Sequence, residues 1–388
     1  MPARPPRETD EYRFINKLSN YDNMVWRLGM EMKKLAMASL LFASATAVHA
    51  QSSVTLYGRL DSGIEYMSGI PASSGGSTSR WRAESGDWGT SLWGLKGAED
   101  IGGGNKVVFQ LEGSFNTMTG AGPGNGGLFN RWATVGVSND SYGTLLLGRE
   151  IFISNGLWDF DPFGQSDWSS ASLVRGRNWP ISSNNISYQS PKFAGFDVYG
   201  QYALSNATNW NGNNTTAQGR EAGLQLTYTA AIFQVRGLYD EIRNPANGGL
   251  NDVFQFSREY FAGANAFLGP VKLSAAYQSS HASNVTAGAP STTQQEWAGA
   301  TWQATPAAAL IAAVYHMNAN NGAGNATIYT IGGSYNLSKR TLLDLQAATV
   351  RNSKAGTYSL EANLPGNADN PLAGHAQSGV YAGIQHSF

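Results

Sequence analysis

Cysteine is absent from all 388 residues, which excludes disulfides and thiolate chemistry and suits a compartment that oxidises exposed thiols. Charge is sparse as well. Lys, Arg, Asp and Glu together make 14% of the chain, and the net charge of −1 offers no basic excess for nucleic acid. Fourteen per cent is low for a soluble surface. Long hydrophobic runs are missing too. The apolar stretch at 35–48 is too short to cross a bilayer as a helix, which needs about 20 residues. A mean hydropathy of −0.29 is too polar for a helical membrane bundle. What remains is a chain rich in glycine (46) and in aromatics (11%), the composition of a β-wall that is greasy outside and wet inside.

The N-terminus reads as an address. Met32-Lys33-Lys34, the apolar run 35–48 and the small-residue exit Val48-His49-Ala50 before Gln51 have the order of a secretory signal peptide. Residues 1–31 are polar and patternless and read as an upstream extension. The expected organisation is therefore 1–31 extension, 32–50 signal and 51–388 one barrel domain.

The mature chain alternates. Val54, Leu56, Gly58, Leu60, Ile64 and Tyr66 share one face, while Thr55, Tyr57, Arg59, Asp61 and Glu65 share the other. Period two over a dozen residues is a strand with one apolar and one polar side, longer than the 5–6 residues of an ordinary strand. The same pattern recurs at 92–97, 107–115, 196–202, 221–228, 233–240 and 271–278; near 310–315 the apolar run is continuous and assigns no faces. Short connections such as 102–105, 191–195 and 269–270 interleave with long Gly/Asn/Ser-rich ones near 68–78, 117–127, 205–219, 241–251, 279–293, 317–324 and 352–377. One short rim and one long rim, with roughly 16 strands accommodated, is the plan of an outer-membrane barrel. The last strand, Val380 to Phe388, ends on an aromatic, as a strand that closes against the first and leaves no free edge in lipid can.

One connection is out of scale. From Leu147 to Pro191 the chain carries Asp159, Asp161 and Asp167, then Arg175 and Arg177, with aromatics between them. Loops beyond about 12–15 residues usually have a task. This one is expected to fold inside the wall and narrow the hole. Its acids, facing bases on the wall, would set a transverse field where charge counts for more than in bulk water. The wall bases are Arg59, Arg131 and Arg149, then Lys96 and Arg236; Arg175 and Arg177 fit either side, and Trp158 and Phe163 would pin the loop. Simpler roles compete: Asp159 and Asp161 as turn formers, Arg59 as a wall partner of Asp61 or Glu65. The outward Tyr66, Trp93, Tyr202, Tyr228, Tyr239 and Tyr277 would form interfacial girdles.

Several stretches together resemble the trimeric general porins of Gram-negative outer membranes, in their β-proteobacterial branch. They are Ser53 to Gly58, Trp93 to Gly102, Phe129-Asn130-Arg131, Gly143 to Arg149, Tyr188 to Pro191, Tyr335 to Thr341 and the terminal Phe388. The resemblance implies an all-β, 16-stranded antiparallel transmembrane barrel with an inward-folded third loop. It also implies a homotrimer in the outer membrane, beside lipid and lipopolysaccharide, and passive diffusion of ions and small hydrophilic solutes. Leu92 and Ser187 stand where the family often carries arginine, which thins the inner basic cluster. A substrate-specific channel for a sugar or organic acid is the alternative, kept open by Trp158, Phe160, Trp168 and Trp179 in the long loop. An enzymatic barrel finds no support in the five histidines, none of which has a nucleophile–base context or metal-ligand spacing, and no cofactor is expected.

Overall fold

A computed structural model describes residues 53–122, 127–164, 166–204 and 218–388; the signal and extension assigned above lie outside them. The segments are β1 (Ser53–Pro71), β2 (Ser77–Ser85), β3 (Leu92–Gly102), β4 (Asn105–Ser114), β5 (Trp132–Asn139) and β6 (Gly143–Ile151). After a long loop come β7 (Ile181–Gln189), β8 (Phe196–Ala203), β9 (Glu221–Thr229), β10 (Phe233–Ile242), β11 (Arg258–Leu268) and β12 (Val271–His281). The last five are β13 (Thr292–Gln303), β14 (Ala308–Ala319), β15 (Asn325–Asn336), β16 (Thr341–Asn352) and β17 (Gln377–Ser387). Apart from β2 and β3, which both pair with β1, each pairs antiparallel with the next, and β17 returns to β1 with Arg59 opposite Ser387 and Ser68 opposite Ser378.

Seventeen segments make sixteen barrel strands. Both β2 and β3 pair with β1, Ser85 against Ser62 and Leu92 against Arg59, so they are one strand interrupted at 86–91. The 68–78 connection, expected to be a long loop, is instead the top of an extended hairpin whose turn spans only 72–76, with Ala72 donating to Gly76 O at 3.0 Å. On the opposite rim, Gly102, Gly103 and Gly104 all take positive φ (86°, 64° and 77°), a backbone that glycine adopts without steric cost, and turn β3 into β4.

The pleat sorts side chains as the alternation implied. Val54, Leu56, Ile64, Leu145, Leu224, Leu310, Ile331, Leu345 and Ile384 are exposed apolar residues on the outer face. Aromatics flank them, Tyr66 stacking on Trp81 at 4.9 Å and Tyr239 on Tyr260 at 5.3 Å. The inner face is polar and largely hydrogen-bonded, as buried polar groups must be. Glu150, for instance, accepts from Ser187 Oγ (2.7 Å), Tyr199 OH (2.9 Å) and Gln201 Nε2 (3.0 Å). The ambiguous run in β14 resolves for a physical reason: Leu310, Ala312 and Val314 face outward, while Ile311 and Ala313 on the inner side pack against the buried cluster that includes loop residues Phe160 and Phe163. An inner face covered by apolar loop atoms needs no polar residues.

Candidate pore constriction

The long loop leaves β6 at Phe152 and rejoins the wall at β7, which begins at Ile181. It opens with a 3-10 helix, Ile153–Phe160, and contains a short helical turn, Ala171–Val174. Neither has a capping side chain, so contacts beyond the loop must hold it.

Those contacts run strand by strand along the inner face. Ile153 N donates to Gln201 Oε1 on β8 (2.6 Å). Arg236 on β10 meets Asp159 Oδ2 at 2.6 Å, and Asn265 on β11 and Lys272 on β12 donate to Asp159 O at 3.0 and 2.9 Å. Trp297 Nε1 on β13 donates to Phe160 O (2.9 Å), and Tyr315 OH on β14 to Asp161 Oδ1 (2.6 Å). Thr330 on β15 bonds Trp168 O (2.8 Å), while Ser166 Oγ donates to Gln346 on β16 (2.8 Å). The returning limb attaches elsewhere. Ser172 Oγ donates to Leu360 O (2.9 Å), and Arg175 stacks on Tyr358 (4.6 Å to the ring centre) and Phe254 (5.7 Å). Arg177 pairs with Asp240 and lies 3.6 Å from Glu259.

The candidate residues therefore separate. Asp159 is 60% exposed at its side chain although bonded to Arg236. Asp161, expected as a field-setting acid, is buried instead and spends its oxygens on Tyr315, Phe163 N (2.9 Å) and Ser170 N (3.0 Å). Burial pushes this carboxyl above the usual range, against the pull of those donors. Arg175 and Arg177, assigned to either side of a pore, are buried fasteners. Arg131 is buried against Glu112 (2.7 Å), which also accepts from Tyr57 OH (2.9 Å). Arg59 points inward and donates to Thr90 O (2.8 Å). Lys96 is exposed on the same face, its ammonium 5.1 Å from the Tyr57 ring centre.

Arg149 corrects the expectation outright. It stands opposite Ala133, in register with the outward pairs Leu147–Val135 and Leu145–Val137, and bonds Asn130 O (2.6 Å) and Ser183. Successive strand residues alternate faces, and the inner one here is Glu150. Phe163 is buried, edge-on to Trp88 at 6.1 Å, and Trp158 packs half-buried on the same cluster.

The sequence did not reveal a charge network beneath the first hairpin. Arg82 reaches Glu65 (3.0 Å), Glu361 (2.7 Å) and Glu84; Arg80 reaches Glu361 (3.0 Å) and Asp369 (2.8 Å). Beside it the loop's Asp167, half-buried, donates its backbone N–H to Asp87 O (3.2 Å). Removal from water, then the Glu361 and Glu84 carboxylates, hold the Asp167 carboxyl well above the usual aspartate range. Glutamates at the right parity of β1 and β2 were the available signal; Glu361, far away in chain order, was not.

A family model described as Gram-negative porin matches residues 36–355. An outer membrane porin of Bordetella pertussis is 34% identical over 266 residues, covering 63% of this chain and 69% of its own. Outer membrane porin protein 32 of Delftia acidovorans is 31% identical over 370 residues, 92% of this chain and 100% of its own. Among solved structures, the anion-selective porin from Comamonas acidovorans superposes with a TM-score of 0.72 at 26% identity, over 87% of this chain and 100% of that one. A closed sixteen-stranded wall, apolar outside and polar within, thus coincides with a family match over most of the sequence: the chain belongs to the Gram-negative porins, outer-membrane barrels that act as channels.

Proposed function

We propose that the 152–180 loop lies across the lumen as the constriction of a general diffusion channel for ions and small hydrophilic solutes. The observation that carries this is the run of loop contacts along the inner face from β8 to β16, which leaves the inner face of β1 and β3–β5 as the opposite bank. Asp159 and Arg236 stand on the loop side, and Arg59, Lys96 and the Arg131–Glu112 pair on the other. Most of these charges are matched. Arg236 has Asp159, Arg131 has Glu112, and Arg59 shares its face with Asp61; Lys272 and Lys96 bond a backbone carbonyl and a ring rather than a carboxylate. A narrow, slightly cationic passage orients dipoles and favours anions weakly. The relative from Comamonas is described as anion-selective, which agrees in sign.

Three copies per assembly is the organisation implied by the resemblance. Trp81, 72% exposed on the outer face of β2, is the kind of residue that a neighbouring protomer covers. Beyond the outer tyrosines, Arg258 and His281 sit at the height of lipid and lipopolysaccharide headgroups.

Planar-bilayer recording under a salt gradient tests the reading. Ohmic steps of nanosiemens order with a small anion-directed reversal potential are expected. Silence, or a current blocked by one sugar alone, refutes the general channel.

A further inference from the structure

The inner face of the wall carries glycine where the loop comes closest. Gly223, Gly263, Gly299, Gly332 and Gly379 all occupy inward pleat positions, on β9, β11, β13, β15 and β17, one on every second strand. Each faces a different apolar loop residue, in chain order: Ile153, Phe160, Pro162, Phe163 and Trp168. A Cβ built on Gly379 would lie 2.7 Å from Trp168 Cη2, its first neighbour. At Gly263 the wall's Phe261 Cζ (2.6 Å) comes just ahead of Phe160 Cγ (2.7 Å). At Gly299 and Gly332 the carbonyls of Ala312 (2.5 Å) and Leu345 (2.6 Å) come ahead of Pro162 Cγ (2.6 Å) and Phe163 Cε1 (3.0 Å). At Gly223 the first atom met is Ile153 Cγ2, with the next neighbours back at 3.3 Å. Carbon atoms in ordinary contact stand about 3.5–4.0 Å apart. A single methyl at Gly379 therefore demands roughly 1 Å of retreat from the loop.

None of the three seats at Gly223, Gly263 and Gly379 has positive φ, so backbone freedom does not explain glycine there. Glycine in a strand interior costs stability and is retained where another part of the chain must approach closely. A loop atom is the first to approach at Gly223 and Gly379 and comes second, just behind a wall atom, at Gly263, Gly299 and Gly332.

We infer that these wall glycines set how far the loop stands off the wall, and thereby the open cross-section of the channel. The inference rests on the proposed constriction. It adds that size and charge are specified by different residues: the glycine seats fix the depth of the loop, while Asp159, Arg236 and the facing bases fix the field. Adding a methyl at a seat moves the loop inward without altering any charge.

Gly379→Ala and Gly223→Ala, each as the full-length protein refolded in detergent and inserted into planar bilayers, test this. Conductance is expected to fall in both while the reversal potential stays at the parent value. Trimming the loop partner, as in Gly223→Ala/Ile153→Ala, is expected to restore the conductance, because the double variant removes the atom that the new methyl meets. Gly237→Ala is the control; Gly237 faces outward on β10 with no atom within 4 Å of a built Cβ, and its variant should match the parent. Two seats whose first neighbour is a loop atom, Gly223 and Gly379, keep the test open should one variant fail to fold. Parent conductance in folded seat variants overturns the inference, as does a fall that the Ile153 trim leaves uncorrected. Asp159→Trp, which adds bulk at the exposed tip of the loop, separates the two levels. If it too leaves conductance unchanged, the constriction reading itself fails. If it lowers conductance and the glycine variants do not, the seats alone are refuted.

Discussion

Arg177 offers the sharpest perturbation of the loop. Its guanidinium and the Asp240 carboxylate are both fully buried, with Glu259 at 3.6 Å and Ser257 O and Oγ each accepting at 3.0 Å. Glu259 has other donors, Gln278 Nε2 at 2.6 Å and Ser280 Oγ at 2.8 Å. Asp240 relies on Arg177, since no donor among the described residues reaches its second oxygen. Arg177→Met thus strands one buried carboxylate, and breaking a buried pair in this way costs roughly 3–5 kcal/mol. The loss falls on the attachment of the returning limb, so local opening is where it is read. At about 1.4 kcal/mol per decade, amide hydrogen exchange across 171–180 should quicken by roughly two to three decades, with the wall strands β12–β16 unchanged. Exchange followed by mass spectrometry on the detergent-solubilised protein gives both numbers. Arg177→Met/Asp240→Leu removes both charges at similar volume and should return most of the protection, because an apolar replacement of an ion pair is often nearly neutral. Unchanged exchange in the single variant refutes the reasoning. Equal acceleration in single and double variants also refutes it, since packing and not charge would then hold the limb.

Three further outcomes follow from the same geometry. Asp159→Asn removes the one acid of the exposed tip and should shift the reversal potential towards anions at nearly constant conductance; a shift towards cations contradicts the charge layout. Tyr315→Phe takes a 2.6 Å donor from buried Asp161 and should destabilise the docked loop by about 1–3 kcal/mol, read as a rise in open-channel noise, whereas a quiet channel argues against anchoring through Asp161. Asp167 is held above its ordinary value of 3.8, so the docked loop binds a proton that the undocked loop releases. Docking should weaken as pH rises from about 3.8 through the raised value. Noise should therefore grow from pH 4 to pH 8 in the parent and grow less in Asp167→Asn, where the neighbouring Asp87, also raised by burial, still titrates; a parent that is quieter at pH 8 reverses the sign and ends the argument.

The wall was legible because a pleated strand in lipid has to write its two environments into alternate residues, and β1 does so without a break from Val54 to Tyr66. Legibility failed where a third environment intervened. Along β14 the inner face touches apolar loop atoms, so both faces read the same. At 86–91 the second strand is interrupted while both flanks keep their pairing to β1, and no residue pattern distinguishes that from a loop. For the site, charge type was visible but partnership was not: Asp161, Arg175 and Arg177 look like pore charges until Tyr315, Tyr358 and Asp240 are brought to them. Arg149 is expected among the wall bases, yet counting from Leu145 and Leu147 gives it the outer face.

Chain order imposes one more consequence. The loop is synthesised before every strand from β7 onward, yet its farthest partners lie 154, 180 and 188 residues downstream, at Tyr315, Gln346 and Leu360. Contacts of such separation form late, because the intervening chain must first be organised. If the loop is the constriction, the far end of the passage is therefore among the last parts of the molecule to acquire its size. A barrel caught before β17 meets β1 would have most of its wall and no finished aperture, and damage to the final strands would act at a distance on what passes through the middle.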